Sequence, residues 1–100
     1  QARSSGLVLA PRGSAQVVAP APGRVAFAGP YPGYDRIVII EHGGGWTSLV
    51  TGIVRLEVSV GDSVVASSPL GIAAPGAPKV MVELRRDGRP VNPLQYIRSL

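Results

Sequence analysis

Short apolar runs, each bounded by glycine or proline, recur along the whole chain. The runs are rich in Val and Ile, and no stretch keeps a 3.6-residue apolar period over helical length. Because β-branched residues between turn residues are typical of strands, the pattern predicts strands at 17–19, 24–28, 37–42, 47–53, 63–66, 70–73 and 80–85. We therefore predict an all-β fold, a compact antiparallel sandwich or rolled sheet, with at most a helical turn at 93–99.

Two glycine-containing turns connect predicted strands. Gly43, Gly44 and Gly45 stand between two apolar runs, where glycine adopts a positive φ without steric cost. Gly61 and Asp62 follow an apolar run and form a second tight turn. The first turn predicts a hairpin between the strands at 37–42 and 47–53.

The last predicted strand carries apolar residues on both of its faces. One face is purely apolar and is predicted to pack in the core: Val80, Val82 and Leu84. The opposite face combines three charged residues with one methionine: Lys79, Met81, Glu83 and Arg85. Met81 is therefore either a scattered surface hydrophobe or part of a face that lines a groove.

Composition narrows the chemistry that the chain can perform. One hundred residues suffice for one small domain, and the absence of cysteine excludes disulfides, thiolate catalysis and Cys-based zinc sites. The net charge of +4 comes almost entirely from arginine and favours anionic partners. Nucleic acid is not expected among them, because the arginines form no basic run and only 5% of the residues are aromatic.

The two ends of the chain lead to further expectations. Because the chain begins with Gln1 rather than Met, we expect it to be a piece of a longer protein. Residues 1–5 are expected to be flexible, and residues 6–100 to form the domain. No apolar run approaches the roughly 20 residues of a membrane span, so no span is expected in this fragment.

His42 is the only histidine and therefore the only candidate imidazole ligand or base. A catalytic zinc ion usually takes three ligands from His, Asp, Glu or Cys, and the carboxylates do not cluster with His42 at ligand spacing. His42 and the three glycines after it also match an esterase oxyanion motif, but no Gly-x-Ser-x-Gly elbow accompanies them. We expect a structural role for His42 at the mouth of the hairpin, and no metal.

Residues 58–65 resemble the turn of biotinyl and lipoyl carrier domains, in which Gly-Asp joins two strands of a flattened barrel. Such carriers attach their cofactor to a lysine on an exposed hairpin, usually next to methionine. Lys79 lies two residues from Met81, but the strand pattern around it is not that of a hairpin tip. A carrier role is therefore disfavoured, and no cofactor is expected.

Read in order, several segments resemble the LytM (M23) peptidase family. Its opening strands are similar to 6–9 and 17–25, its central hairpin to 37–49, its Val-x-x-Gly-Asp-x-Val turn to 58–65, and its closing strand and tail to 82–93. The resemblance covers nearly the whole chain and depends on the order and spacing of these segments. It implies the all-β LytM fold, built on a duplicated hybrid motif.

The positions that bind zinc or move protons in active members of that family carry other residues here. Ser4 and Val8 stand where the first His and Asp are expected. Gly52 replaces the histidine of Tyr-Ala-His-Leu, and Lys79 and Met81 replace both histidines of the final His-x-His-Phe-Glu. Since no bound water can be activated near neutral pH without the ion, the resemblance implies that the chain is not an enzyme.

Degenerate LytM domains of this kind resemble the EnvC-type murein hydrolase activators of Gram-negative bacteria. The resemblance implies a periplasmic regulator whose old substrate groove holds the regulatory helix of an N-acetylmuramoyl-L-alanine amidase and so switches the amidase on during septum splitting. We expect groove contacts from Val8, Val50, Met81 and Arg85, and then from Ser5, Tyr34 and Lys79. Core packing is the alternative for Val8 and Val50. Passive peptidoglycan binding is the alternative function.

Overall fold

All the described secondary structure is β-strand. The computed structural model describes residues 6–10 and 12–91, and side chains for residues 10 and 12–91. It contains β1 (Gly6–Leu9), β2 (Gln16–Val18), β3 (Gly23–Pro30), β4 (Arg36–Gly43), β5 (Trp46–Leu56), β6 (Ser63–Val64), β7 (Pro69–Ala73), β8 (Val80–Arg86) and β9 (Arg89–Val91). No helix of these residues is long and apolar enough to cross a membrane. The helical turn predicted at 93–99 lies outside them.

The strands form one curled antiparallel sheet. Its main path runs β1-β8-β5-β4-β3-β6, while β9 pairs with β8 and β7 joins β2 to β5. All pairings between described strands are antiparallel. The prediction of an all-β rolled sheet is confirmed.

The predicted strands are all present, although their bounds differ. β6 is shorter than predicted and ends at Val64, and β5 continues to Leu56. β9 was not recognised because it is three residues long and contains Pro90, which cannot donate to a ladder. β1 was indicated only by the family resemblance.

The predicted hairpin joins β4 to β5 and is confirmed. Gly43, Gly44 and Gly45 all have positive φ, at 91°, 61° and 82°, and Gly43 pairs with Trp46 across the turn. The Asp87 N–H donates to the Gly45 carbonyl oxygen at 2.7 Å. This bond ties the β4–β5 hairpin to the β8–β9 hairpin at one end of the sheet.

The second predicted turn, between β5 and β6, is also confirmed. Gly61 has a φ of 96°. The Asp62 N–H donates to the Ser59 carbonyl oxygen at 3.1 Å, and the Asp62 carboxylate accepts from the Ser59 N–H at 2.9 Å. The turn is therefore closed by both the backbone and the side chain of Asp62.

The core is aliphatic and lies on one face of the curled sheet. Its largest fully buried side chains come from β3, β4, β5 and β7: Val25, Val38, Ile40, Val50, Ile53 and Leu70. Burial of each such side chain contributes roughly 1.5–3 kcal/mol. Val38 pairs with Val50, and Val50 with Val82, so these inward positions form one row across β4, β5 and β8.

β5 passes very close to the start of β8 at Gly52. Gly52 has a φ of +88°, and a Cβ built on it would overlap the Lys79 carbonyl oxygen and lie 3.2 Å from Val80 Cα. The Gly52 N–H donates to the Tyr34 carbonyl oxygen at 3.1 Å. Glycine is therefore required here both for its backbone conformation and for space.

We predict that Gly52→Ala destabilises the domain by about 3 kcal/mol or more, because left-handed strain of roughly 1–2 kcal/mol is added to a backbone clash. Gly33→Ala is the matched control, since Gly33 has a φ of +86° and no atom within 4 Å of its built Cβ. Gly33→Ala should lower the free energy of unfolding only by the left-handed strain of roughly 1–2 kcal/mol. Urea unfolding of both variants measures the difference, and equal losses would contradict the close approach of β5 to β8.

We also predict that Val50→Asp unfolds the domain, because an unpaired buried charge costs several kcal/mol and small domains are only marginally stable. Val65→Asp is the control, since Val65 is 65% exposed, and should change stability by about 0.5 kcal/mol or less. Thermal unfolding followed by circular dichroism compares the two. A folded Val50→Asp variant with normal melting would contradict the core assignment.

Candidate functional site

An open groove of about 550 Å³ crosses β4, β5 and β8 on the face opposite the core. Its floor follows the strand register. Leu49 of β5 lies between Ile39 of β4 and Glu83 of β8, and Thr47 lies beside Arg85. Because side chains alternate along a strand, the inward neighbours of these residues belong to the core.

Two tyrosines from the loop between β3 and β4 form an aromatic wall of the groove. The ring centroids of Tyr31 and Tyr34 lie 5.9 Å apart at an interplanar angle of 45°. The Tyr31 N–H donates to the Asp35 carbonyl oxygen, and the Tyr34 N–H to the Tyr31 carbonyl oxygen, at 2.9 and 3.0 Å. Together with the bond from Gly52, these contacts fix the loop while both rings stay about half exposed.

The groove continues past Met81 into a second hollow of about 420 Å³. Tyr34, Thr51 and Met81 line both spaces, whereas Lys79 and Asp35 line only the second. The two hollows therefore form one trough, which we call the Met81 trough.

Charge is concentrated at the two ends of the Met81 trough. At one end, Arg85 Nε donates to Glu83 Oε1 at 2.8 Å, with the two side chains 44% and 13% exposed. At the other end lie Lys79 and Asp35. The middle is mostly apolar, with Ile37, Ile39, Leu49 and Met81 as its hydrophobic residues. A ligand of matching polarity would be apolar in the centre and charged toward its ends.

The trough contains several residues that were predicted from the sequence as groove contacts. Met81 and Arg85 lie on its floor, Tyr34 on its wall, and Lys79 at its far end. Their partner-binding role stays a prediction. Ser4 and Ser5 lie outside the described residues.

The assignment of Val50 to the groove is wrong. Val50 is fully buried in the core cluster, and its outward neighbours, Leu49 and Thr51, line the trough instead. The physical reason is the two-residue period of a strand, which places Val50 on the inner face. Val8 is described only by its backbone, which pairs with Met81.

Leu49, Ile39 and Tyr31 line the trough but were missed in the sequence. β5 is apolar on both faces around Leu49, so hydrophobicity alone did not identify the outward row. The signal that could have done so is the alternation of Thr47, Leu49 and Thr51. No comparable pattern marks Tyr31, because a loop has no regular period.

His42 and Ser48 form a hydrogen-bonded pair on the core face of the sheet. His42 Nδ1 lies 2.6 Å from the Pro22 carbonyl oxygen, and Nε2 lies 2.7 Å from Ser48 Oγ. In the neutral imidazole, Nδ1 donates to the carbonyl and Nε2 accepts from the hydroxyl, because a carbonyl can only accept. A serine–histidine pair can support nucleophilic catalysis, but Ser48 is only 2% exposed. The pair links the segment before β3 to β4 and β5.

The donor set of the Met81 trough does not fit the zinc ion that the family resemblance implies. Gly52 offers no side chain, the Lys79 ammonium repels a cation, and the Met81 thioether is a soft ligand that does not suit zinc. Within residues 6–10 and 12–91, no three His, Cys, Asp or Glu side chains are close enough together to hold a metal ion.

Comparison with known proteins places this chain in a family. The model of peptidase family M23 matches residues 2–93. The murein hydrolase activator EnvC of Escherichia coli (strain K12) is 35% identical over 99 residues, which cover 95% of this chain and 24% of that protein. A lipoprotein NlpD/LppB homolog of Pseudomonas aeruginosa is 38% identical over 85 residues, which cover 81% of this chain and 29% of that protein.

Solved structures show the same fold. The catalytic domain of the prophage-encoded M23 protein EnpA from Enterococcus faecalis, as its A109H mutant, is 26% identical with a TM-score of 0.80, covering 92% of this chain and 77% of that one. The chain spans about a quarter of the length of the two curated relatives. The match over residues 2–93 and the 35% identity to EnvC show that this chain belongs to peptidase family M23, as a degenerate LytM domain of the EnvC type.

Proposed function

We propose that this domain is a non-catalytic activator that binds a periplasmic peptidoglycan amidase through the Met81 trough and switches it on during septal wall splitting. The observation that carries the proposal is the chemistry of the trough. Its middle is apolar, and Lys79 and Met81 stand at positions where the family resemblance places zinc-binding histidines. The name of one relative, the murein hydrolase activator EnvC, supports a role in controlling wall hydrolysis.

The residues of the trough also support the absence of catalysis. Hydrolysis of a wall peptide needs an activated water and a group that moves its proton. The only imidazole of the chain belongs to His42, whose ring is held between Pro22 and Ser48 on the opposite face. Two carboxylates line the described trough: that of Glu83 is paired with Arg85, and that of Asp35 lies at the far end, as Lys79 does.

The apolar middle of the trough suits one face of an amphipathic helix, whose side chains recur at i, i+3, i+4 and i+7. Burial of apolar area against Leu49, Ile39 and Met81 contributes about 25 cal/mol per Å², before ordering costs are subtracted. The half-exposed rings of Tyr31 and Tyr34 offer large rigid contact area at low entropic cost.

The charged ends of the trough would align the bound helix along its length. Lys79 and Arg85 lie toward opposite ends, so acidic side chains on the helix would be attracted to two separated points. Charge of this kind mainly affects the association rate and the choice of partner.

Activation is then a shift between two conformers of the amidase. The domain stabilises the conformer whose regulatory helix has left the amidase active site, because only that conformer offers the helix to the trough. The shift equals the difference in affinity for the two conformers, and each 1.4 kcal/mol changes the active fraction about tenfold while that fraction is small.

We predict that Met81→Glu lowers amidase activation at least tenfold, since a carboxylate is placed in the apolar middle of the trough near Glu83. Release of dye from labelled sacculi by the purified amidase of the source organism, titrated with the domain, measures the effect. Val65→Glu is the matched control, because it adds the same charge at an exposed valine outside the trough. Full activation by a folded Met81→Glu variant would rule out the trough as the amidase site.

Passive peptidoglycan binding is the second candidate function, favoured by the net charge of +4. A passive module would sediment with purified sacculi and leave the amidase rate unchanged. An activator raises that rate at domain concentrations that saturate the amidase. The same dye-release titration therefore separates the two functions.

Residual hydrolysis is tested with the chain alone. We expect neither stoichiometric zinc binding in a calorimetric titration nor release of soluble fragments from sacculi, because the trough lacks a suitable donor set. Zinc binding at one ion per chain together with wall digestion would overturn the non-catalytic assignment.

A further inference from the structure

One row of residues at the hairpin end of the sheet has no role in the trough. Trp46 of β5 pairs with Arg86 of β8, and Arg86 pairs with Arg89 of β9. Because successive strand residues point to opposite faces, Arg86 lies on the face opposite Arg85 and the trough. We call Trp46, Arg86 and Arg89 the arginine row.

Arg86 and Arg89 are two exposed like charges placed directly opposite each other, an arrangement that is unfavourable without a counter-charge. All six carboxylate side chains of the chain fall within the described residues, and neither arginine forms an ion pair with any of them. Glu57 pairs with Arg55, and Glu83 with Arg85. The described residues therefore offer no ion-pair partner to Arg86 or Arg89.

The arginine row is also held in place. Arg86 Cζ lies 5.1 Å from the centroid of the Trp46 ring, so the guanidinium is stacked on an aromatic face. The hydrogen bond from Asp87 to Gly45 fixes the two hairpins that carry Trp46 and Arg86. A stacked guanidinium loses little freedom when its N–H groups bind an anion.

We propose that the arginine row binds closely spaced carboxylates of the peptidoglycan stem peptides, as a contact with the wall that is separate from the Met81 trough. Planar guanidinium groups match carboxylates in a bidentate arrangement. The choice of peptidoglycan as the polyanion rests on the proposed function, which brings the domain to the wall. Since Arg85 and Arg86 point to opposite faces, the domain can hold an amidase and the wall at the same time.

The test is sedimentation of the chain with purified sacculi at physiological ionic strength. Arg86→Ala/Arg89→Ala is expected to weaken binding about tenfold or more, because it removes the charge-assisted hydrogen bonds to the carboxylates. Arg12→Ala/Arg24→Ala removes the same net charge at two exposed arginines elsewhere and is expected to bind almost as the original chain does. Equal weakening by both pairs would show a general charge effect and overturn the inference.

Two further sedimentation measurements identify the anion. Sacculi whose carboxylates have been amidated are expected to bind about as weakly as the Arg86→Ala/Arg89→Ala variant binds untreated sacculi. Arg86→Lys/Arg89→Lys is expected to recover only part of the binding, because an ammonium lacks the guanidinium fork. Undiminished binding to amidated sacculi, or equally tight binding to duplex DNA or phosphatidylglycerol vesicles, would contradict a carboxylate site.

The result of the sedimentation test can be distinguished from the result of the amidase activation test. Met81→Glu is expected to sediment with sacculi as the original chain does, and Arg86→Ala/Arg89→Ala to activate the amidase fully on soluble wall fragments. Unchanged sedimentation of the double arginine variant would overturn the arginine row but leave activation through the trough intact. Loss of sedimentation in Met81→Glu would place the wall in the trough and contradict both proposals.

Discussion

The whole site depends on the close approach of Gly52 in β5 to the Lys79 carbonyl at the start of β8. Without a side chain at Gly52, β8 can lie where Met81, Glu83 and Arg85 form one side of the trough floor. The N–H of the same glycine donates to the Tyr34 carbonyl oxygen and so holds the loop that forms the aromatic wall. The family resemblance places a histidine at this position. The resemblance therefore implies that one glycine both takes the place of that histidine and allows the shape of the trough.

The partner-binding role proposed for the trough depends on two of its properties. Its hydrophobic middle gives affinity that depends on contact area, whereas the charges at its two ends give orientation. The Glu83–Arg85 pair is partly exposed, so it contributes little to stability. Its larger effect is to keep the guanidinium at a defined place beside the apolar floor. The proposed activator role calls for this combination, because an activator must discriminate between two conformers of the same partner.

Much of this arrangement could be predicted from the sequence, but not all of it. The glycines at 43–45 identified the main hairpin, and the alternation around Met81 identified one side of the trough, because both signals are local. Val50 was misassigned because the β5 segment is apolar on both faces, and only the register with Val38 and Val82 shows which face is inward. Tyr31 was missed because it lies in a loop, which has no regular period and is held in part by the N–H of the distant Gly52.

The His42 linkage has a consequence for the way the sheet curls. β3 and β5 each pair with β4 but not with one another. The His42 ring of β4 lies 2.6 Å from the carbonyl oxygen of Pro22, just before β3, and 2.7 Å from Ser48 Oγ of β5. A single side chain therefore opposes sliding of the three strands past one another.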